Sequence, residues 1–100
     1  MEEKRKHPRK VVHPDIAFLA ANGERVEAVC RDISLGGAFV ETDRPAPFNA
    51  TVTVFLKLPG FDREIAVKST VRWTKQDGMG VQFGLMGARE THALVSLISP

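Results

Sequence analysis

Two short runs in this sequence set residue types at spacings suited to holding an anion. Near the N-terminus, Arg5-Lys6-His7-Pro8-Arg9 places two arginines four residues apart in a basic stretch that includes Lys4. A guanidinium presents a planar fork of donors that matches a phosphate, or the O6/N7 edge of guanine, with two hydrogen bonds. Two forks on one short segment can close on a ligand from different sides. Pro8 restricts His7 to extended geometry, which argues against a helix there. The second run is Asp32-Ile33-Ser34-Leu35-Gly36-Gly37. A carboxylate can accept from N1–H and N2–H of guanine, and a serine hydroxyl or a freed backbone N–H can meet a phosphate or a base. Gly37 lets backbone and ligand come close. Each run also has a plainer reading. Short basic runs are commonly solvated tails. An Asp-x-Ser-x-x-Gly is commonly a tight connection whose Asp and Ser bond their own backbone, with both glycines free to take positive φ.

The other residues capable of chemistry do not assemble into a catalytic set. His7, His13 and His92 are scattered and share no metal-ligand spacing. The chain lacks a His-Glu-x-x-His run, a Cys-x-x-Cys and a Gly-x-Ser-x-Gly elbow. Gly84-Leu85-Met86-Gly87 lacks the Lys-Ser/Thr ending of a phosphate loop. The expectation is a non-enzymatic domain with no metal and no cofactor, in which Cys30 is a buried structural thiol. With 100 residues, 43% hydrophobic and 26% charged, the chain fits one globular domain with a modest core. Its net charge of +2 is unevenly spread, because the first ten residues hold five of the 14 basic residues and two of the 12 acids. An anionic partner is therefore expected near the N-terminus. One cysteine forbids an internal disulfide, no apolar stretch is long enough to span a membrane, and the start lacks a signal-peptide pattern. A cytoplasmic protein without membrane insertion is the expectation.

The elements that must position these residues are mostly strands. Residues 1–10 lack apolar periodicity and read as a flexible basic arm, leaving 11–100 as a single domain. Ile16, Phe18 and Ala20 alternate with Ala17 and Leu19 up to Asn22-Gly23, a strong hairpin signal. Arg25 to Arg31 alternates again, with Val26, Ala28 and Cys30 on the core side. The Asp32–Gly37 run then interrupts the pattern as a structured turn, followed by a short strand at Ala38–Glu41 and a loop at Thr42–Asn49. Val52, Val54, Leu56 and Leu58 mark another strand, and Pro59-Gly60 a turn. Ile65, Val67, Ser69, Val71 and Trp73 line up at period two on the next strand. Gln76-Asp77-Gly78 turns the chain into a last strand with Val81, Phe83 and Leu85 inward. From Ala88 to Ser99 the period changes, with Thr91, Leu94, Leu97 and Ile98 on one helical stripe and Arg89, Glu90 and His92 on the wetter side. Six antiparallel strands and a helix too short to stand alone imply a barrel closed by that helix.

The order of these features, from the Arg-x-x-x-Arg arm through a first hairpin and an Asp-x-Ser-x-x-Gly turn to further strands and a helix, resembles the PilZ domain family. Trp73 and the Gly80-Val81-Gln82-Phe83 run also look typical of it. The resemblance covers the chain from Lys4 to the final helix and implies a six-stranded antiparallel PilZ-like β-barrel with a C-terminal α-helix. It further implies that both motifs converge on the barrel surface to bind the bacterial second messenger cyclic di-GMP. On that resemblance Arg5 and Arg9 grip guanine edges and phosphates, Asp32 and Ser34 hold the ligand from the barrel side, and Gly36 and Gly37 leave it room. Lys4 occupies a position that in the family influences whether one ligand or an intercalated pair binds. A stand-alone receptor of this kind relays its signal to an effector protein as the arm orders over the ligand. Two other readings stand beside it. One is a ligand-independent PilZ-fold interaction module, a type that usually lacks one of the motifs. The other is a nucleic-acid-binding barrel, which the scarcity of aromatic platforms and the absence of tyrosine disfavour, so no specific nucleic acid is expected.

Overall fold

The computed structural model describes residues 14–58 and 60–98. The expected basic arm, with Lys4, Arg5 and Arg9, lies outside the described residues. Within them, the alternation read from the sequence becomes six strands: β1 (Asp15–Leu19), β2 (Arg25–Ile33), β3 (Gly37–Glu41), β4 (Thr51–Leu56), β5 (Ile65–Lys75) and β6 (Gly78–Phe83). One helix follows, α1 (Ala88–Ile98). Antiparallel pairing in the order β1-β2-β3-β6-β5-β4 closes the sheet into a barrel. Closure removes the unpaired edges that an open sheet would leave.

Side chains facing the interior are the alternating apolar ones. Phe18, Val40, Val54, Leu56, Val71 and Met79 are fully buried, and Cys30 joins them. Burial pushes the Cys30 thiol up to about 11, so it is protonated at neutral pH, as expected of a structural thiol. The first hairpin turns through Ala20–Gly23, where the Gly23 amide donates to Ala20 O at 2.9 Å. Gly23 takes φ +86°, a conformation glycine adopts without the Cβ penalty.

The two barrel ends are closed differently. At the end that carries the β2–β3 and β4–β5 connections, α1 packs Ala93 and the fully buried Leu94 onto the core. Leu97 and Ile98 lie partly buried beside them, along the stripe expected from the sequence. At the opposite end, loops and charges tie the connections together. Arg44 holds Glu24 at 2.8 Å, and the Thr42 amide donates to Asp77 O at 3.0 Å.

One expected strand position is corrected. Leu85 was expected inward on the last strand, but β6 ends at Phe83 and Leu85 is fully exposed. The Gly84 amide makes a last bond to Lys68 O at 2.8 Å before the chain leaves the ladder for α1. The β5–β6 turn is also tighter than expected. Lys75 already pairs with Gly78, so only Gln76 and Asp77 connect the strands.

Candidate functional site

Two β-bulges create the site. On β2, Cys30 pairs with Val40 and Asp32 with Phe39, which leaves Arg31 as an extra residue. On β5, Val71 pairs with Val81 and Trp73 with Gly80, which leaves Arg72 extra. An added residue reverses the facing of everything beyond it, because side chains alternate across a sheet. Cys30 and Val71 both face the core. In unbroken strands Asp32 and Trp73 would follow them inward, and the period-two alignment of Trp73 with Val67, Ser69 and Val71 carried that expectation. The bulges turn both residues out. Phe39 pairs with Gly80 across the β3–β6 ladder. Asp32, Phe39, Gly80 and Trp73 therefore stand in one line across four adjacent strands on the outer surface.

Glycine seats the two rings of that line. A Cβ at Gly80 would overlap the Trp73 indole, and one at Gly78 would sit 2.5 Å from Phe39 Cζ. The Phe39 and Trp73 rings stack with centroids 5.2 Å apart at 23°. Trp73 keeps 45% of its surface exposed and provides an aromatic platform that the sequence reading did not expect. The Arg31 guanidinium lies 4.6 Å above the Phe39 ring, held by Glu41 at 2.7 Å and Asp77 at 3.2 Å. Its hydrogen bond keeps the Asp77 carboxyl below the usual carboxylate range.

A second row runs beside the first, in the order Gly37, Gln82, Thr70. The connection into it is tight. Ser34 donates to Gly37 O from its amide at 2.8 Å and from its hydroxyl at 3.3 Å, and Gly36 O accepts from the Phe83 amide at 2.9 Å. Neither Gly36 nor Gly37 takes positive φ, contrary to the expectation for this turn. Gly37 is required for a different reason: a Cβ there would overlap the carbonyl oxygen of Val81 on β6. Gly36 faces open space.

Between the two rows lies an open groove of about 270 Å³, with Asp32, Ser34 and Gly37 on one side and Arg72, Trp73 and Gln82 on the other. Its polar groups differ in how far the fold already uses them. The Ser34 hydroxyl caps its own turn. The Asp32 carboxylate makes no hydrogen bond or ion pair among the described residues, so the backbone-capping reading of this motif holds for Ser34 and fails for Asp32. Four expected site residues, Asp32, Ser34, Gly36 and Gly37, line this groove together. The other three, Lys4, Arg5 and Arg9, fall outside the described residues. Arg72 and Gln82 are groove residues that the sequence reading missed. Their available signal was the Gly78-Met79-Gly80 alternation, which marks an outer face stripped of side chains so that neighbouring ones can lie across it.

A sequence profile of the PilZ domain matches residues 3–99. The chain belongs to the PilZ family. Its barrel is similar to the crystal structure of the PilZ domain of CeSA from a cellulose-synthesizing bacterium (TM-score 0.67, 19% identity, covering 91% of this chain and 94% of that one). It is also similar to the Bacillus subtilis inhibitor of motility MotI/DgrA (TM-score 0.68, 20% identity, covering 95% of this chain and 49% of that one). At these identities the likeness shows the PilZ fold alone. No curated protein matches the chain. Among the described residues of this PilZ domain, no helix is long and apolar enough to cross a membrane.

Proposed function

We propose that this PilZ domain is a non-enzymatic receptor for cyclic di-GMP that relays the signal to a protein partner. The observation that carries the reading is the line Asp32–Phe39–Gly80–Trp73, because it sets on one groove an exposed indole and a carboxylate that no described residue engages. A guanine needs an acceptor for N1–H and N2–H and a surface on which to stack. Asp32 supplies the first and Trp73 the second. At about 270 Å³ the groove is smaller than the roughly 300–1,000 Å³ of sites that enclose a whole small ligand. The barrel therefore holds part of a dinucleotide and leaves the rest to another segment.

Arg5 and Arg9 precede β1 closely enough in the chain for this reading to assign them to that segment. The chain enters β1 at Asp15, opposite Val29 on β2. Asp32 lies three residues further along β2, about 10 Å at the rise of a strand. Arg9 precedes Asp15 by six residues, and a six-residue stretch spans up to roughly 20 Å when extended. Its fork can thus reach a ligand seated at Asp32, and closure of this segment over the ligand changes the surface shown to an effector.

Calorimetric titration of cyclic di-GMP tests the reading, with an Arg9→Ala, Asp32→Ala double variant as control. The expected result is saturable heat with wild type and none with the variant, and it also gives the number of ligands bound. A folded wild-type protein that gives no heat would leave a ligand-independent interaction module as the better account.

A further inference from the structure

The bulge on β5 does more than reverse Trp73. Arg72, its extra residue, has no cross-strand partner on β6, is exposed, and lines the groove beside the indole. Two consecutive residues, one cationic and one aromatic, thus serve the same surface. A regular strand cannot achieve this, since it sends neighbours to opposite faces.

Among the described residues only Arg63 and Arg72 of the arginines lack a partner, and of these two only Arg72 lines this groove, Arg63 lying in the β4–β5 connection. Arg25 is bound by Glu27 and Glu64, Arg31 by Glu41 and Asp77, and Arg44 by Glu24. Arg89 lies over the Phe61 ring at 5.1 Å. Arg72 makes no ion pair, hydrogen bond or ring contact among the described residues, although the Asp32 carboxylate lines the same groove. An arginine carries five N–H donors and is always charged, so a fork that no described residue engages, at the edge of a groove, is suited to meet an anion. Among the other polar groove side chains, Gln82 can serve either a base or a phosphate, but Asp32 and Ser34 do not suit a phosphate. Asp32 repels an anion, and Ser34 has its hydroxyl committed to Gly37 O.

We propose that Arg72 is a phosphate-binding residue of this site, a barrel-borne cation that meets one phosphodiester of the ligand from the side opposite Asp32. The inference rests on the cyclic di-GMP reading and adds to it. The barrel would carry a fixed positive group before Arg5 and Arg9 engage, so its contribution is separate from theirs.

The test is a titration of cyclic di-GMP into wild type, Arg72→Gln and Arg72→Lys at several salt concentrations, with thermal melts as a folding control. Arg72 is exposed, so both variants are expected to melt with wild type. Arg72→Gln should weaken binding roughly ten- to hundredfold, the range for one charge-assisted contact. It should also flatten the dependence of affinity on salt. Arg72→Lys should keep the full salt dependence and bind more tightly than Arg72→Gln but less tightly than wild type, since an ammonium serves a phosphate as a point charge without the fork. If wild type binds and Arg72→Gln binds as tightly, this assignment is overturned while the receptor reading stands. A loss in Arg72→Gln that leaves the dependence of affinity on salt unchanged would overturn it as well, because the contact would then not be with the charge of the ligand. A wild type that binds nothing overturns the receptor reading and this assignment together.

Discussion

A methyl group added at Gly37 would overlap the Val81 carbonyl oxygen, whereas one added at Gly36 meets no atom within 4 Å. The oxygen belongs to backbone fixed in the β3–β6 ladder, so it cannot move aside as a flexible side chain would. Gly37→Ala must therefore shift one strand against the other. Overpacking of this kind costs about 1–3 kcal/mol. In a domain of ~100 residues that corresponds to a drop in Tm of roughly 4–20 °C. Gly36→Ala is expected to melt close to wild type. Circular dichroism melts of the two variants check the contrast, and equal Tm values would mean that the ladder yields at this point. The same division of labour holds for the polar residues of the motif. Ser34 spends its hydroxyl inside the turn, while the Asp32 carboxylate makes no hydrogen bond or ion pair among the described residues. The spacing Asp-x-Ser-x-x-Gly joins groups that shape the connection to one that faces out of it, so the plain reading describes Ser34 and Gly37 but not Asp32.

At the scale of elements, the site depends on two strands whose bulges rotate Asp32 and Trp73 onto a face cleared by Gly78 and Gly80. Trp73 is the one tryptophan in the chain, so its emission reports on this arrangement directly. Gly80→Ala places a methyl group where the indole lies and is expected to lift the ring away from the barrel and from Phe39. The emission maximum should move to the red and acrylamide quenching should rise. Unchanged emission would mean that Trp73 does not rest on Gly80. This also explains which parts of the structure were legible. The six strands, the first hairpin and the helix could be read, because each rests on local alternation or on a turn residue such as Gly23, whereas the pairing order that closes the barrel rests on long-range contacts. The bulges could not. Counting every second residue assumes an unbroken ladder, and a bulge is defined by the partner strand, which the local pattern does not contain. Reading through them placed Trp73 with the inward-facing Val67 and Val71, and carrying the count past Phe83 placed Leu85 in the core. Asp32 and Ser34, which line the groove, were singled out by residue type and spacing. Arg72 and Gln82 were missed because their role depends on a groove built from four strands.

At the scale of the whole molecule, the two ends of the barrel are held by different forces, and acid should separate them. The helix end is sealed by burial. Leu94 is fully buried, and Leu94→Ala is expected to cost about 2–5 kcal/mol, as for other buried leucines. That loss involves no titrating group and should be nearly the same at every pH. The opposite end is tied by exposed ion pairs, among them Arg31–Asp77 and Arg44–Glu24. The guanidinium partners hold the carboxyls of Asp77 and Glu24 below their ordinary values of 3.8 and 4.5. A carboxyl whose pKa is depressed on folding stabilises the fold fully above its unfolded value. That contribution fades as pH falls through the depressed native value, because only the unfolded chain takes up the proton readily at first. Asp77→Asn should therefore lower Tm slightly at pH 7, within the small range of exposed pairs, and the gap to wild type should close once the solution is acidified well below pH 3.8. Melts of wild type, Leu94→Ala and Asp77→Asn from pH 7 down through this range check both statements. A constant Asp77→Asn gap would show that the side chain acts through the shape of the Gln76-Asp77 turn. A closing gap would show that charge ties this turn to Arg31, and through Arg31 to the bulge that turns Asp32 toward the groove.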